Sequence, residues 1–190
     1  SLSPSITQIA RPVLLVWGTV EPGRVVLEPA FHLIAKASTP SRPGPWSLVA
    51  RDADDRVLFS YGFDVDEIAD ARRPSASFAF TLPVDSAVAS RIHSLRLVGP
   101  AGESRVGLEA GVRRELPGRT APAAAQRVGD RLTVTWDREA FPLGLVRDTR
   151  TGTILSIVRG GQVSMRSPTP GLELLLSDGV RTTRQRLDDR

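Results

Sequence analysis

Carboxylates are the residues of this chain best placed to do chemistry, and they gather in two short runs. The first run is Asp64-Val65-Asp66-Glu67 with Asp70 close behind, and the second is Asp52-Ala53-Asp54-Asp55. Carboxylates crowded on a loop suit a hard cation such as calcium. Neither run follows a calcium-binding loop: the first lacks an interspersed glycine, and the second lacks both the glycine and a glutamate at its far end. The alternative is structural, because aspartate side chains accept from nearby backbone amides in turns and acidic residues favour a helix start. The only histidines are His32 and His93, and there is no HExxH spacing, which excludes a histidine-rich zinc site within one chain. His32 falls on the alternate face of an apolar strand and His93 just before another, so both read as surface or partly buried residues. No GxSxG turn presents a serine nucleophile, and no cysteine offers a thiolate. Gly160-Gly161 joins two apolar runs rather than opening a helix, so no phosphate loop is present.

Trp17, Trp46 and Trp136 could stack on sugar rings if exposed. Each lies in an alternating apolar set or at a strand edge, where core packing is the ordinary role. Trp46, after a proline-rich loop, is the one to locate first. No catalytic, cofactor-binding or metal-ligating residue is assigned, and no cofactor is expected.

The formal charge of +4 and a pI near 10.8 invite a nucleic-acid partner. Against it, Lys36 is the only lysine among 25 basic residues, and the arginines are scattered. Their tightest groups are Arg72-Arg73, Arg113-Arg114 and Arg181/Arg184/Arg186. No aromatic residues interleave with them as a single-strand stacking platform requires. A solvated surface is the expectation, with no nucleic-acid partner. No apolar run approaches the about 18 residues of a membrane helix, so no membrane insertion is expected. No targeting peptide is visible, and the abrupt start at Ser1 reads as an excised part of a longer protein.

The elements that would hold these residues are short strands. Trp46–Phe63, WSLVARDADDRVLFSYGF, is an apolar strand ending in Arg-Asp, a polar turn and a second apolar strand. Leu143–Arg159, LGLVRDTRTGTILSIVR, repeats that plan, and Leu95–Leu108 carries a fainter version around Pro-Ala-Gly. Pro12–Val20 is apolar on both alternating sets, which suits a strand covered on both sides or an edge shared with another domain. Glu21-Pro22-Gly23-Arg24 meets the demand of a type II turn, returning Arg24–Glu28 against the first strand. Phe31, Leu33 and Ala35 form one face, as do Val57, Phe59, Tyr61 and Phe63, and Phe78, Phe80 and Leu82. Helical turns are expected at Asp64–Arg73 and at Pro83–Ile92, the latter capped by Asp85 or Ser86.

Leu116–Gln126 lacks alternation and reads as a linker. Beyond it Leu132, Val134 and Trp136 alternate with polar residues, Val163 and Met165 face inward, and Leu172, Leu174 and Leu176 share a face. Asp178-Gly179 is a two-residue hairpin signal.

The strands of LVARDADDRVLFS and LVRDTRTGTILS, and the order LTVTW, LGLVRD, TILSIV, QVSM, LELLLSDG, RTTRQRL, resemble immunoglobulin-like and fibronectin type III-like modules. The resemblance covers most of Pro12–Leu187 and departs from antibody domains in lacking the cysteine pair. It implies an all-β chain of two antiparallel β-sandwich modules with one or two short helical crossovers. Residues 1–118 would hold seven to eight strands, and residues 119–190 about six, docked on the first. It further implies a non-catalytic accessory region, like those that follow metallopeptidase-like domains in exported bacterial proteins, outside the cell or on its surface. The expected partner is a neighbouring domain or another protein. A glycan is the alternative ligand, and a metal-dependent hydrolase using the carboxylate runs is the third reading.

Overall fold

The computed structural model describes residues 9–64, 76–108, 121–166 and 171–187. The helical turn expected after Asp64, most of the first carboxylate run and residues 116–120 of the expected linker lie outside them. The described residues are all-β, with fifteen strands and one four-residue helix in four antiparallel sheets.

The first strand organises the N-terminal sheets. β1 (Arg11–Glu21) turns at Pro22-Gly23, where Gly23 has the positive φ of 73° that the turn needs, into β2 (Arg24–Leu27). β3 (Phe31–Ala35) pairs with the first half of β1, and β6 (Ala76–Pro83) runs along its other edge. Facing this sheet is a second of order β5-β4-β7-β8, made of β4 (Trp46–Arg51), β5 (Val57–Phe63), β7 (Ser94–Gly99) and β8 (Gly102–Gly107). Helix α1 (Ser86–Ala89) leads into β7, and its N-cap is Asp85, whose carboxylate accepts from the Val88 N–H at 2.8 Å.

The C-terminal sheets repeat the arrangement in part. β9 (Ala123–Val128), β10 (Arg131–Trp136) and β13 (Gln162–Arg166) form one sheet with β10 in the middle. β11 (Leu143–Asp148), β12 (Ile154–Arg159), β14 (Leu172–Ser177) and β15 (Thr182–Arg186) form the other, in the order β12-β11-β14-β15. This matches β5-β4-β7-β8 strand for strand. Each member of the recurrent hairpin carries a bulge at the same place. Leu58 is the extra residue between the Ala50–Phe59 and Arg51–Val57 pairs, and Leu155 between Val146–Ser156 and Arg147–Ile154.

Two of the expected elements differ. Ala123–Gln126, read as linker, is most of β9; its alanines carry no alternation, and the strand is held by pairing to β10 and by Gln185. The Gln185 amide donates to the Ala123 carbonyl and accepts from its N–H, at 2.8 and 3.0 Å, as a neighbouring strand would. Val57 leaves the aromatic face of β5, because the bulge at Leu58 shifts the alternation and exposes it.

Three cores separate the four sheets. Leu14, Val16, Phe78 and Phe80 meet Trp46, Leu48, Leu95 and Leu97 in the first. Leu132, Val134 and Trp136 meet Val146, Leu174 and Leu176 in the second. The third lies between the β1 sheet and the β11 sheet, where Val13, Phe31 and Leu33 meet Leu143, Leu145 and Leu175. β1 thus feeds two cores from its two alternating sets. β14 does the same, and all six of its residues are buried.

The β14–β15 turn reaches beyond its own sheet. Its loop is four residues, Asp178–Arg181, rather than the two expected from Asp-Gly, since Ser177 pairs with Thr182. Asp178 Oδ1 accepts from the Val180 and Arg181 amides, and this folds Val180 into the first core, where it is 1% exposed. Gly179, at φ 124°, accepts at its carbonyl from the Ala30 N–H at 2.8 Å and passes against Gly107. A Cβ on Gly107 would come within 2.4 Å of the His93 carbonyl and 2.9 Å of the Val180 side chain.

Val180→Ala removes two buried methyl groups from a core to which the rest of its own sheet does not belong. It should cost about 2 kcal/mol. Denaturant titration followed by the indole NMR signal of Trp46 should show the loss, although residue 180 lies far along the chain from Trp46. An unchanged Trp46 midpoint would mean that Val180 does not complete the first core.

Candidate functional site

Most residues singled out in the sequence are engaged in holding the fold. In the Asp52 turn, Oδ1 accepts from the Asp54 and Arg56 amides at 2.9 Å each. Asp148 occupies the matching position in the second hairpin and accepts from the Arg150 amide at 2.8 Å. Both carboxyls are held below the usual carboxylate range. For Asp52 the largest cause is the Arg56 N–H, opposed by partial burial and helped by the Asp54 N–H and by the Arg56 and Arg91 charges. For Asp148 it is the Arg150 N–H, then the Arg150 guanidinium, again against partial burial. The shared Arg-Asp ending of the two hairpin strands is therefore turn chemistry: the aspartate closes the loop. Among the described residues no three His, Asp or Glu side chains are grouped to hold a metal. Asp66, Glu67 and Asp70 lie outside the described residues.

His32 Nε2 lies 2.7 Å from the Val84 carbonyl, and its backbone N–H donates to Thr182 Oγ1 at 2.7 Å. His93 is more deeply placed than a residue at a strand start suggests, 3% exposed, with its N–H donating to Arg51 O. Trp46 and Trp136 are buried, each over a glycine, Gly99 on the adjacent strand β7 and Gly144 on β11 of the facing sheet. A Cβ on Gly99 would fall 2.2 Å from the Trp46 ring, and one on Gly144 2.6 Å from that of Trp136. Trp136 Nε1 donates to Phe141 O at 3.1 Å, and Trp17 Nε1 to Pro29 O at 2.9 Å. The Arg181 and Arg184 guanidinium groups donate to Ile92 O and His32 O, and burial pushes the Arg181 pKa down.

The polar pair that sequence reasoning missed lies in the third core. Arg147 on β11 meets Glu173 on β14 at 2.7 and 2.9 Å, with both side chains about 10% exposed. Its remaining Nη1 donates to Ile34 O of β3 at 2.8 Å, so one guanidinium joins two sheets. Ser177 Oγ donates to Ala30 O at 2.6 Å, and Arg159 pairs with Glu28 at 2.6 Å, on the same pair of sheets. The signal was readable in the alternation: Arg147 shares a face with Leu143 and Leu145, and Glu173 with Leu175.

Among the described residues two sheet edges stand open beside apolar side chains. β5 and β12, the bulged strands, each stand at the end of their sheet. On β12 Ile154, Leu155 and Ile157 are 42%, 50% and 41% exposed. Beside β5 a groove of about 360 Å3 runs between the β4 and β1 sheets. Among the described residues no helix is long and apolar enough to cross a membrane. No family model, no curated protein and no solved structure matches the chain.

Two tests follow from these contacts. Arg147→Met leaves Glu173 buried without its partner and should cost about 3–5 kcal/mol, whereas Arg147→Met with Glu173→Leu should recover most of it. Equal losses in chemical denaturation would show that the pair acts only by packing. For the turn carboxylates, a depressed folded-state pKa gives stability that is complete above the unfolded value of about 3.9 and is lost as pH falls through the folded value. Asp52→Asn with Asp148→Asn should therefore lower Tm at pH 6 and flatten its fall between pH 5 and pH 2. A parallel acid profile would show that other groups govern it.

Proposed function

We propose that this chain is a non-catalytic accessory region of a larger exported bacterial protein, built as two immunoglobulin-like sandwiches and acting by interdomain or protein–protein contact. The observation that carries this reading is the edge strand β12. Three large apolar side chains stand exposed on six residues, and its outer edge pairs with no described strand. An apolar strand edge offers a partner both buried surface and unpaired backbone groups, and soluble proteins blunt such edges unless they are used. Arg159 is the only charged residue on β12, and it is turned to Glu28.

The engagement of the candidate chemical groups also supports an accessory role. Asp52 and Asp148 close turns, His32 bonds Val84, and Arg147 and Glu173 neutralise one another between sheets. The strand order supports the sandwich reading, because a three-strand sheet faces a four-strand one across a continuous core. A location outside the cell or on its surface follows from the same resemblance. Trp46 and Trp136 are packed in cores, so a sugar-binding face would have to be built from other residues.

A photoreactive phenylalanine analogue placed at Leu155 should cross-link a protein, or another domain of its own polypeptide, in the cells that make this chain. The same analogue at exposed Gln126 should not. A Leu155 probe that cross-links nothing above the Gln126 background would overturn the reading.

A further inference from the structure

The groove beside β5 is a separate feature from the β12 edge, and its chemistry is more selective. Its wall on the β4 sheet is Leu58, Phe59, Ser60 and Tyr61, four consecutive residues. A regular strand presents alternate residues to one side, but the bulge adds Leu58 to the side of Phe59. Leu58, Phe59 and Tyr61 are half-buried against the first core, so they are ordered yet reachable. The opposite wall comes from the end of β6 and from α1, through Leu82, Val84 and Val88. One end is closed by the segment after β3: Ser38 exchanges backbone bonds with Thr81, and the Tyr61 hydroxyl donates to Pro40 O.

Among the described residues, Asp85 is the only charged one lining the groove. Its carboxylate is exposed and spends one oxygen on capping α1, and it stands as a negative site on a chain of net charge +4. The groove volume of about 360 Å3 lies at the small end of the roughly 300–1,000 Å3 of ligand pockets. That suits one or two side chains rather than a folded domain. Along its length β5 offers an outer edge that pairs with no described strand. An edge strand beside a side-chain pocket is the arrangement by which an extended peptide is bound as an added strand.

We propose that this groove receives an extended segment of a protein partner, paired along β5, with an apolar side chain between Phe59 and Val88 and a Lys or Arg beside Asp85. The proposal rests on the reading of the chain as an interaction region and adds a second, peptide-specific surface to it. The charge on Asp85 decides the sign of the selected segment: it favours basic over acidic neighbours of the apolar anchor.

The test uses the full chain and two blocked heptapeptides, Lys-Thr-Val-Leu-Val-Thr-Lys and its counterpart with Glu at both ends. In nitrogen-15 NMR titrations the Lys peptide should shift the amides of Leu58–Tyr61 and of Val84–Val88 and slow hydrogen exchange along β5. At low salt it should bind about fivefold more tightly than the Glu peptide, the scale of exposed charge pairs. Asp85→Ser keeps an N-capping oxygen and should erase most of that preference while leaving Tm within a degree or two. No shift at the groove, equal binding of the two peptides, or a preference that survives Asp85→Ser would overturn the proposal. A Leu155 cross-link together with an unresponsive groove would overturn this inference alone and leave the accessory reading standing.

Discussion

Burial of both faces of β1, β11 and β14 is the constraint on which the rest of the structure depends. A strand with water on one side can place polar residues there at no cost, but a strand between two cores cannot. Its alternate set must be apolar, as in Leu143, Leu145 and Leu175, or it must find partners within the protein. Arg147 and Glu173 take the second course, and the third hydrogen bond to Ile34 O shows why the residue is an arginine. A lysine would offer a point charge to Glu173, whereas the planar guanidinium serves the carboxylate and a carbonyl of the facing sheet together. Alignment of the β11 sheet on the β1 sheet is thereby tied to one side chain, with Ser177–Ala30 and Arg159–Glu28 fixing the flanks.

The recurrent hairpins show the same geometry in opposite surroundings. Arg51 and Arg147 occupy matching positions beside matching bulges, each followed by an aspartate that closes its turn. Across the next strand Arg51 meets Ser94 and Arg147 meets Glu173. The outer face of the β4 sheet is open, and Arg51 donates to its own turn at Asp55 O. The corresponding face of the β11 sheet is dry, and there the arginine requires an acid.

Much of this was legible from residue types. Periodicity placed β1 between two apolar environments, capping chemistry placed α1 behind Asp85, and Leu172, Leu174 and Leu176 mark one face of β14. The misses have distinct physical causes. Ala123–Gln126 carries no alternation because β9 contributes almost nothing to a core; it is specified by its neighbours, which no local pattern records. Bulges are register events between two strands, so neither Leu58 nor the groove it widens shows in one strand's sequence. The Asp178–Arg181 loop exceeds the two residues its Asp-Gly suggests because a distant core draws Val180 inward. Local signals named the strands, and long-range burial decided what their polar residues do.

Val180 has a consequence for how the chain matures. The first core is assembled from residues near the start of the described chain, yet one of its members arrives only after residue 180 has been synthesised. During translation, which adds about 5–20 residues each second, the β1 and β4 sheets must wait with that position empty. The N-terminal sheets therefore emerge from the ribosome first and are sealed last. A chain cut short before the β14–β15 hairpin would lose more than its own final strands, since it would also leave the earliest-made core open to water and to proteases.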